Sequence, residues 1–304
     1  MLPAKSKKAT AAGATPQRPM AADMKAVAEK LPYPARQADM KLPPQTSLAA
    51  YRAAGKLLGK VALITGGDSG IGRAVAVAFA KEGADVAVLF NENVEDAAET
   101  QRLVEAEKRR CLLLQLDVRE VEQCKQAVRR TLAELGGLNI LVNNAAYQMA
   151  QEKFEDLPEE QIRRTFDTNI LGYIWMTQAA LPHLVSGDCI INTGSIVGIT
   201  GIALLVDYAC TKAAIHALTK SLALQLGARN IRVNCVVPGP VWTPAIPATM
   251  PLAEIEKFGH EVALKRPGQP EELAPAYVLL ASADGSFMTG SLVHVTGGKL
   301  SSDE

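Results

Sequence analysis

From Lys60 to Val295, short runs of β-branched residues and leucine alternate with longer segments of helical apolar spacing. That alternation fits a mostly parallel sheet covered on both faces by helices. The strand-like runs are Val61 to Thr65, Asp85 to Phe90, Leu112 to Asp117, Asn139 to Asn143, Cys189 to Thr193, Ile231 to Val237 and Leu292 to Val295. Between the first two, Ile71, Val75 and Phe79 recur every four residues, giving one helix face that Gly83 ends, and long helical segments cover about 159–185 and 207–228. The fold class that follows is α/β: a Rossmann-type, doubly wound, seven-stranded parallel sheet, with its binding crevice outside the carboxyl ends of the strands. No internal repeat is evident.

Residues 1–55 differ from this pattern, being rich in Ala, Lys, Pro and Thr without apolar periodicity. They read as a largely irregular N-terminal extension ahead of a single domain over 56–304. Lys5, Lys7, Lys8 and Arg18 precede the first acidic residue, Asp23, so a transit peptide is conceivable; Pro3, Pro16 and Pro19 argue instead for a solvated tail. Leu31-Pro32-Tyr33-Pro34, Pro43-Pro44 and Tyr51 are apolar anchors that could lie along the domain or a neighbouring subunit.

The 304 residues are 48% hydrophobic and carry 32 basic against 32 acidic side chains, so no net field recruits nucleic acid or an anionic membrane. Five scattered cysteines without a C-x-x-C pair and four histidines without ligand spacing make disulfides and a metal site unexpected, and a reducing compartment fits. With no apolar run long enough for a bilayer and no secretory block, the chain reads as cytoplasmic. Its partners are then small molecules or further copies of itself.

Two local patterns carry chemistry. Thr65-Gly66-Gly67-Asp68-Ser69-Gly70-Ile71-Gly72 lies between a strand and a helix, where Gly66 permits a sharp turn, Gly70 lets backbone approach a pyrophosphate and Gly72 allows close helix packing. A tight turn that binds nothing is the plain alternative. Tyr208 and Lys212, four apart, share a helix face, so an ammonium can sit beside a phenol. Moving a Tyr from ~10 to ~7 takes roughly 4 kcal/mol. One charge at ~4 Å supplies ~4 kcal/mol at an effective dielectric of ~20 but only ~1 in water. Lys212 is sufficient only in a partly dry cleft.

Thr65-Gly66-x-x-x-Gly70-x-Gly72, Asn143-Asn144-Ala145, Asn169, Ser195, Tyr208-x-x-x-Lys212 and Pro238-Gly239 together resemble the ordered signature of classical short-chain dehydrogenases/reductases, over about Lys60 to Gly298. Within that family the chain looks most like the tailed glucose/ribitol dehydrogenase homologues and aldehyde reductases, through Gly66 to Arg73, Pro238-Gly239-Pro240-Val241-Trp242-Thr243-Pro244 and Arg266-Pro267-Gly268-Gln269-Pro270. The resemblance implies a nicotinamide-dependent oxidoreductase that interconverts a carbonyl and an alcohol. Tyr208 would exchange a proton with the substrate oxygen, Lys212 would lower its pKa and hold ribose hydroxyls, and both would count among the cofactor contacts. Ser195 would bond the carbonyl oxygen. Asn169 would hold a water relaying protons from Lys212. Taken singly, Tyr208 could be an ordinary helix residue, Ser195 a turn hydroxyl and Asn169 a helix-bending polar residue.

For the cofactor, the resemblance adds Asp68, Ser69 and Ile71 to the three glycines. It places Phe90 and Asn91 after the second strand, Asp117 and Val118 beside the adenine, Asn144, Ala145 and Ala146 along the inner ribose, and Pro238, Gly239, Val241 and Thr243 around the nicotinamide. The family usually has Gly at the place of Ala146, a slightly more crowded backbone here. Phe90-Asn91-Glu92 offers neither the acid that selects NAD nor an Arg for the 2′-phosphate of NADP. Arg73 could reach such a phosphate or lie solvated, and an inward Glu92 would repel it. The reading leans to NAD and leaves NADP open.

Tyr147, Gln148, Met149, Ile196, Val197, Leu204, Leu205, Trp242 and a Pro-marked lid over 244–264 would bound an apolar substrate pocket, which suits an aldehyde, ketone or secondary alcohol. Family resemblance suggests a homotetramer. Two other classes compete: a catalytically silent dinucleotide-binding sensor or scaffold, and a lyase or epimerase that recycles its bound cofactor.

Overall fold

The computed structural model describes residues 21–299. All seven strands pair in parallel, in the order β3-β2-β1-β4-β5-β6-β7. They span β1 Val61–Thr65, β2 Asp85–Phe90, β3 Cys111–Gln115, β4 Ile140–Asn143, β5 Cys189–Thr193, β6 Arg232–Pro238 and β7 Leu292–Val295. Every residue of the central β1 is buried, as a strand covered on both faces requires, whereas the edge strand β7 is half-exposed. Strand order reverses between β1 and β4, which opens the crevice at their carboxyl ends.

Helices α2 (Gly70–Lys81), α3 (Val94–Ala106) and α11 (Pro270–Ala281) close one face, with Phe79, Val75 and Tyr277 in its core. Helices α4 (Val121–Leu135), α6 (Gly172–Ala180) and α8 (Val206–Leu226) contribute to the other core, through Val128, Met176 and Leu226, and the one-turn α7 (Val197–Thr200) precedes α8. The helical pattern read over 159–185 is broken into α5 (Glu159–Phe166), a π-helical turn over Asp167–Leu171, and α6. Helices α9 (Ala245–Thr249) and α10 (Leu252–Glu256) are short and lie in the segment read as a lid.

The N-terminal segment is not all irregular. Helix α1 (Ala21–Val27) and a 3-10 turn over Gln37–Asp39 punctuate it, and Met24 and Met40 are buried against Trp242, Ile246, Met250 and Ile255. Trp242 Nε1 donates to Leu42 O at 2.8 Å. The basic stretch and the transit-peptide reading fall on residues outside those described.

Arg73 is neither solvated nor free. It is 4% exposed and pairs with Asp96 at 2.9 Å, while Nε and Nη2 also donate to Asp68 O at 3.0 and 2.8 Å. The other Asp96 oxygen accepts from Gln37 N at 2.8 Å, so one buried network joins α2, α3, the Gly-rich turn and the N-terminal segment. Removing one partner strands the other's charge. Arg73→Met is expected to lower unfolding free energy by about 3 kcal/mol, measured by urea denaturation; a change below ~0.5 kcal/mol would contradict the importance given to this pair.

Candidate active site

Ser195 follows β5, and Tyr208 and Lys212 stand one turn apart near the start of α8, so all three reach the cleft at the carboxyl end of the sheet. Lys212 is 1% exposed; its Nζ lies 5.3 Å from the Tyr208 ring centroid and donates to Thr193 O at 2.9 Å. The same carbonyl accepts from Tyr173 Oη at 3.2 Å.

The juxtaposition matches the spacing argument, but the acidification does not follow from it. Desolvation pushes the Tyr208 phenol up to about 12, only partly opposed by a hydrogen bond with Ser195. Burial likewise lowers Lys212 to about 8. A dry site strengthens attraction between charges, yet it also penalises creating them, and here the second effect is the larger. The folded chain therefore holds Tyr208 as a neutral phenol, the form that can give a proton.

Asn169 sits in the π-helical turn and is fully buried behind the cleft wall. Its Nδ2 spends both protons, on Tyr147 O at 2.9 Å and Thr211 Oγ1 at 3.0 Å, and Oδ1 accepts from Tyr147 N at 2.7 Å. One acceptor position on Oδ1 remains. The side chain thus ties the segment after β4 to the helix that carries Tyr208 and Lys212.

Of the residues named for the cofactor, Gly66, Asp68, Ser69, Gly70 and Ile71, Phe90 and Asn91, Asp117 and Val118, Asn144 to Ala146, and Pro238, Gly239, Val241 and Thr243 all line one cleft of about 380 Å³. That volume is in the range of small-molecule sites. Gly72 lies beneath the lining: a Cβ there would stand 2.0 Å from Gly66 O, so only glycine lets α2 start so close to the turn. Gly66 has φ +62 and meets the backbone of Ala145, where a Cβ would be 2.9 Å from its Cα. The floor is therefore backbone and small side chains, with the α2 N-terminus facing the cleft, and such a floor fits a pyrophosphate. Apolar walls at Leu89 and Val118 fit a ring, and Ser195, Tyr208 and Lys212 fit the reacting end. Burial raises the Asp68 carboxyl to about 6.

Several rim assignments change. Tyr147, Gln148, Ile196, Val197 and Leu205 line the cleft, whereas Met149, Leu204 and Trp242 do not. Trp242 is fully buried beneath the 244–264 segment, its ring centroid 6.3 Å from that of Phe258. Sequence reasoning missed Arg164, and it missed that Tyr33, Pro34 and Ala35 form part of the wall. The only signal was the apolar Leu31 to Pro34 stretch.

A family model described as enoyl-(acyl carrier protein) reductase matches residues 66–299. The uncharacterized oxidoreductase YhdF of Bacillus subtilis is 52% identical over 82% of this chain and 86% of its own length. NADPH-dependent aldehyde reductase 1, chloroplastic, of Arabidopsis thaliana is 44% identical over 87% of this chain and 94% of its own. Among solved structures, a short chain dehydrogenase from Burkholderia cenocepacia in complex with NADP superposes with a TM-score of 0.76, at 34% identity, over 80% of this chain and 98% of that one. Among the described residues no helix is long and apolar enough to cross a membrane. With the ordered motifs gathered in one crevice of a doubly wound sheet, these likenesses establish that the chain is an oxidoreductase of the classical short-chain dehydrogenase/reductase family.

Proposed function

We propose that the protein interconverts a small aldehyde or ketone and its alcohol, with Tyr208 as the proton-exchanging group. The observation that carries this reading is the convergence of Tyr208, Ser195 and Lys212 on the cleft that the Gly-rich turn floors. A nicotinamide dinucleotide bound across that cleft supplies or accepts the hydride. Ser195 orients the substrate oxygen by hydrogen bonding and stabilises charge developing on it. Tyr208 gives its proton to that oxygen in reduction and takes it back in oxidation. Lys212 holds ribose hydroxyls and, while charged, favours the phenolate that proton donation leaves. Asn169 positions Tyr147 and Thr211, and its spare acceptor holds a relay water. The lid segment, with Ile246 and Met250 on the cleft, excludes solvent from the reacting centre.

NADP(H) is the cofactor we favour for this chain. The relatives whose names include NADPH or NADP support it, and Arg164, which has no ion pair among the described residues, adds a cation to the cleft wall. The lean to NAD rests on Glu92, a carboxylate that lines the cleft but is exposed to solvent and meets Asn91 Nδ2 at 3.3 Å, and the named relatives outweigh it. A catalytically silent sensor would have no use for a proton donor, an oxygen ligand and a buried lysine in one cleft. A panel of aldehydes, ketones and sugar alcohols, assayed with each dinucleotide by nicotinamide absorbance, tests the reading: turnover supports it, and binding without turnover on every substrate overturns it. The homotetramer belongs to the same reading, and light scattering on the purified chain checks it.

The pH dependence follows from the two titrations. Below about pH 8 Lys212 is charged, and Tyr208 keeps its proton up to about pH 12. Turnover in the reductive direction is therefore expected to be flat at lower pH and to fall, with one-proton slope, as Lys212 discharges above about pH 8. A profile still rising through pH 9 would contradict the assignment.

A further inference from the structure

Because the catalytic residues stand at β5 and α8, the nicotinamide end must lie there, which sends the adenosine half of the cleft over the ends of β2 and β3. The N-terminal segment crosses above that half. On the lid side, Leu31 N donates to Pro247 O at 3.1 Å and Lys30 Nζ to Met250 O at 2.8 Å. On the opposite bank, Asn93 Nδ2, just beyond β2, donates to Ala35 O at 3.1 Å. At the crown between these anchors stands Tyr33. Its ring packs edge-to-face on Tyr147 at 5.4 Å, and the Arg164 guanidinium lies 5.2 Å from Tyr33 and 4.4 Å from Tyr147. Arg164 is held by both rings, so Tyr33 has a fixed seat although 38% of it is exposed. Tyr33 and Pro34 line the cleft, and the charges of Glu92 and Arg119, which follow β2 and β3, lie near enough to act on the Tyr33 phenol.

We infer that Tyr33, carried by the N-terminal extension, is a cofactor-binding residue that roofs the adenosine half of the dinucleotide cleft. The inference depends on the cofactor reading above and adds to it the part of the cofactor that the extension recognises. The roof turns an open groove into a partly covered channel, so the adenine ring gains a second apolar wall opposite Val118 and Leu89. Toward the nicotinamide end Tyr33 acts only through its edge contact with Tyr147, so its own surface serves the adenosine half.

Isothermal titration of the full chain with ADP and, separately, with nicotinamide mononucleotide separates the halves. Tyr33→Ala is expected to weaken ADP binding roughly tenfold, the effect of uncovering about 50 Å² of ring surface, and to leave the mononucleotide unchanged. Tyr33→Phe should bind both as wild type does, since the phenol oxygen has no hydrogen bond among the described residues. The inference is overturned if Tyr33→Ala binds ADP like wild type, or if it loses affinity for both fragments equally. Wild-type chain that binds neither the fragments nor the whole dinucleotide would overturn the cofactor reading as well, an outcome distinct from a Tyr33 effect that is merely absent.

Discussion

Tyr208→Phe is expected to lower turnover by about 100-fold or more while leaving dinucleotide affinity unchanged, because only the exchangeable proton is removed. The phenol oxygen contributes little else: its hydrogen bond is with Ser195, and the ring packs against the apolar cluster around Val197 and Ile215. Phe keeps that ring. Unfolding free energy should therefore change by about 1 kcal/mol or less, the value of one hydrogen bond. Steady-state kinetics and calorimetry on the same preparation separate the chemical loss from any binding loss. Wild-type-like turnover would remove Tyr208 from the reaction.

Lys212→Met should show a different combination, with turnover lost by at least ~100-fold, weaker dinucleotide binding and a fold that is no less stable. Burial holds Lys212 near 8, well below the ordinary value of 10.5, so the folded chain carries its charge near pH 7 at a cost of about 3 kcal/mol. Met removes that cost and fills much the same volume. The Thr193 carbonyl is not orphaned, since Tyr173 Oη still donates to it. The expected gain is offset by one lost hydrogen bond, giving a thermal midpoint equal to or above that of wild type near pH 7. A variant with a sharply lower midpoint would show that Lys212 is there for the fold. A dead, stable variant would mark it as a functional residue kept at the expense of stability.

The sheet was legible because each strand is an apolar run between turn residues, and the parallel pairing follows from the helical segments that separate the runs. Ser195, Tyr208 and Lys212 were legible through order and spacing, since strand ends and helix starts are fixed by the same pattern. Energetic balance was not. The spacing of Tyr208 and Lys212 predicts an attraction, but the desolvation that reverses its consequence depends on Tyr173, Cys235 and Val237 closing around them from distant parts of the chain. Arg73 illustrates a similar loss: its partner Asp96 belongs to the next helix, and no local rule pairs them. Trp242 looked like a pocket wall from its place after Pro238-Gly239, yet Leu42 O and the Met24 and Met40 side chains draw it into the core. The N-terminal segment was hardest to read, because an irregular strap owes its position to the surface beneath it.

The most direct measurement of the central claim is deuteride transfer from a reduced dinucleotide carrying deuterium at both positions of the reactive ring carbon to an aldehyde, with the alcohol product analysed by mass spectrometry. If Tyr208 donates a proton to oxygen while hydride is delivered to carbon in the same cleft, wild-type product carries one deuterium on its carbinol carbon and Tyr208→Phe forms almost none. Alcohol formed without label, or labelled product formed as fast by the Phe variant, would contradict the account.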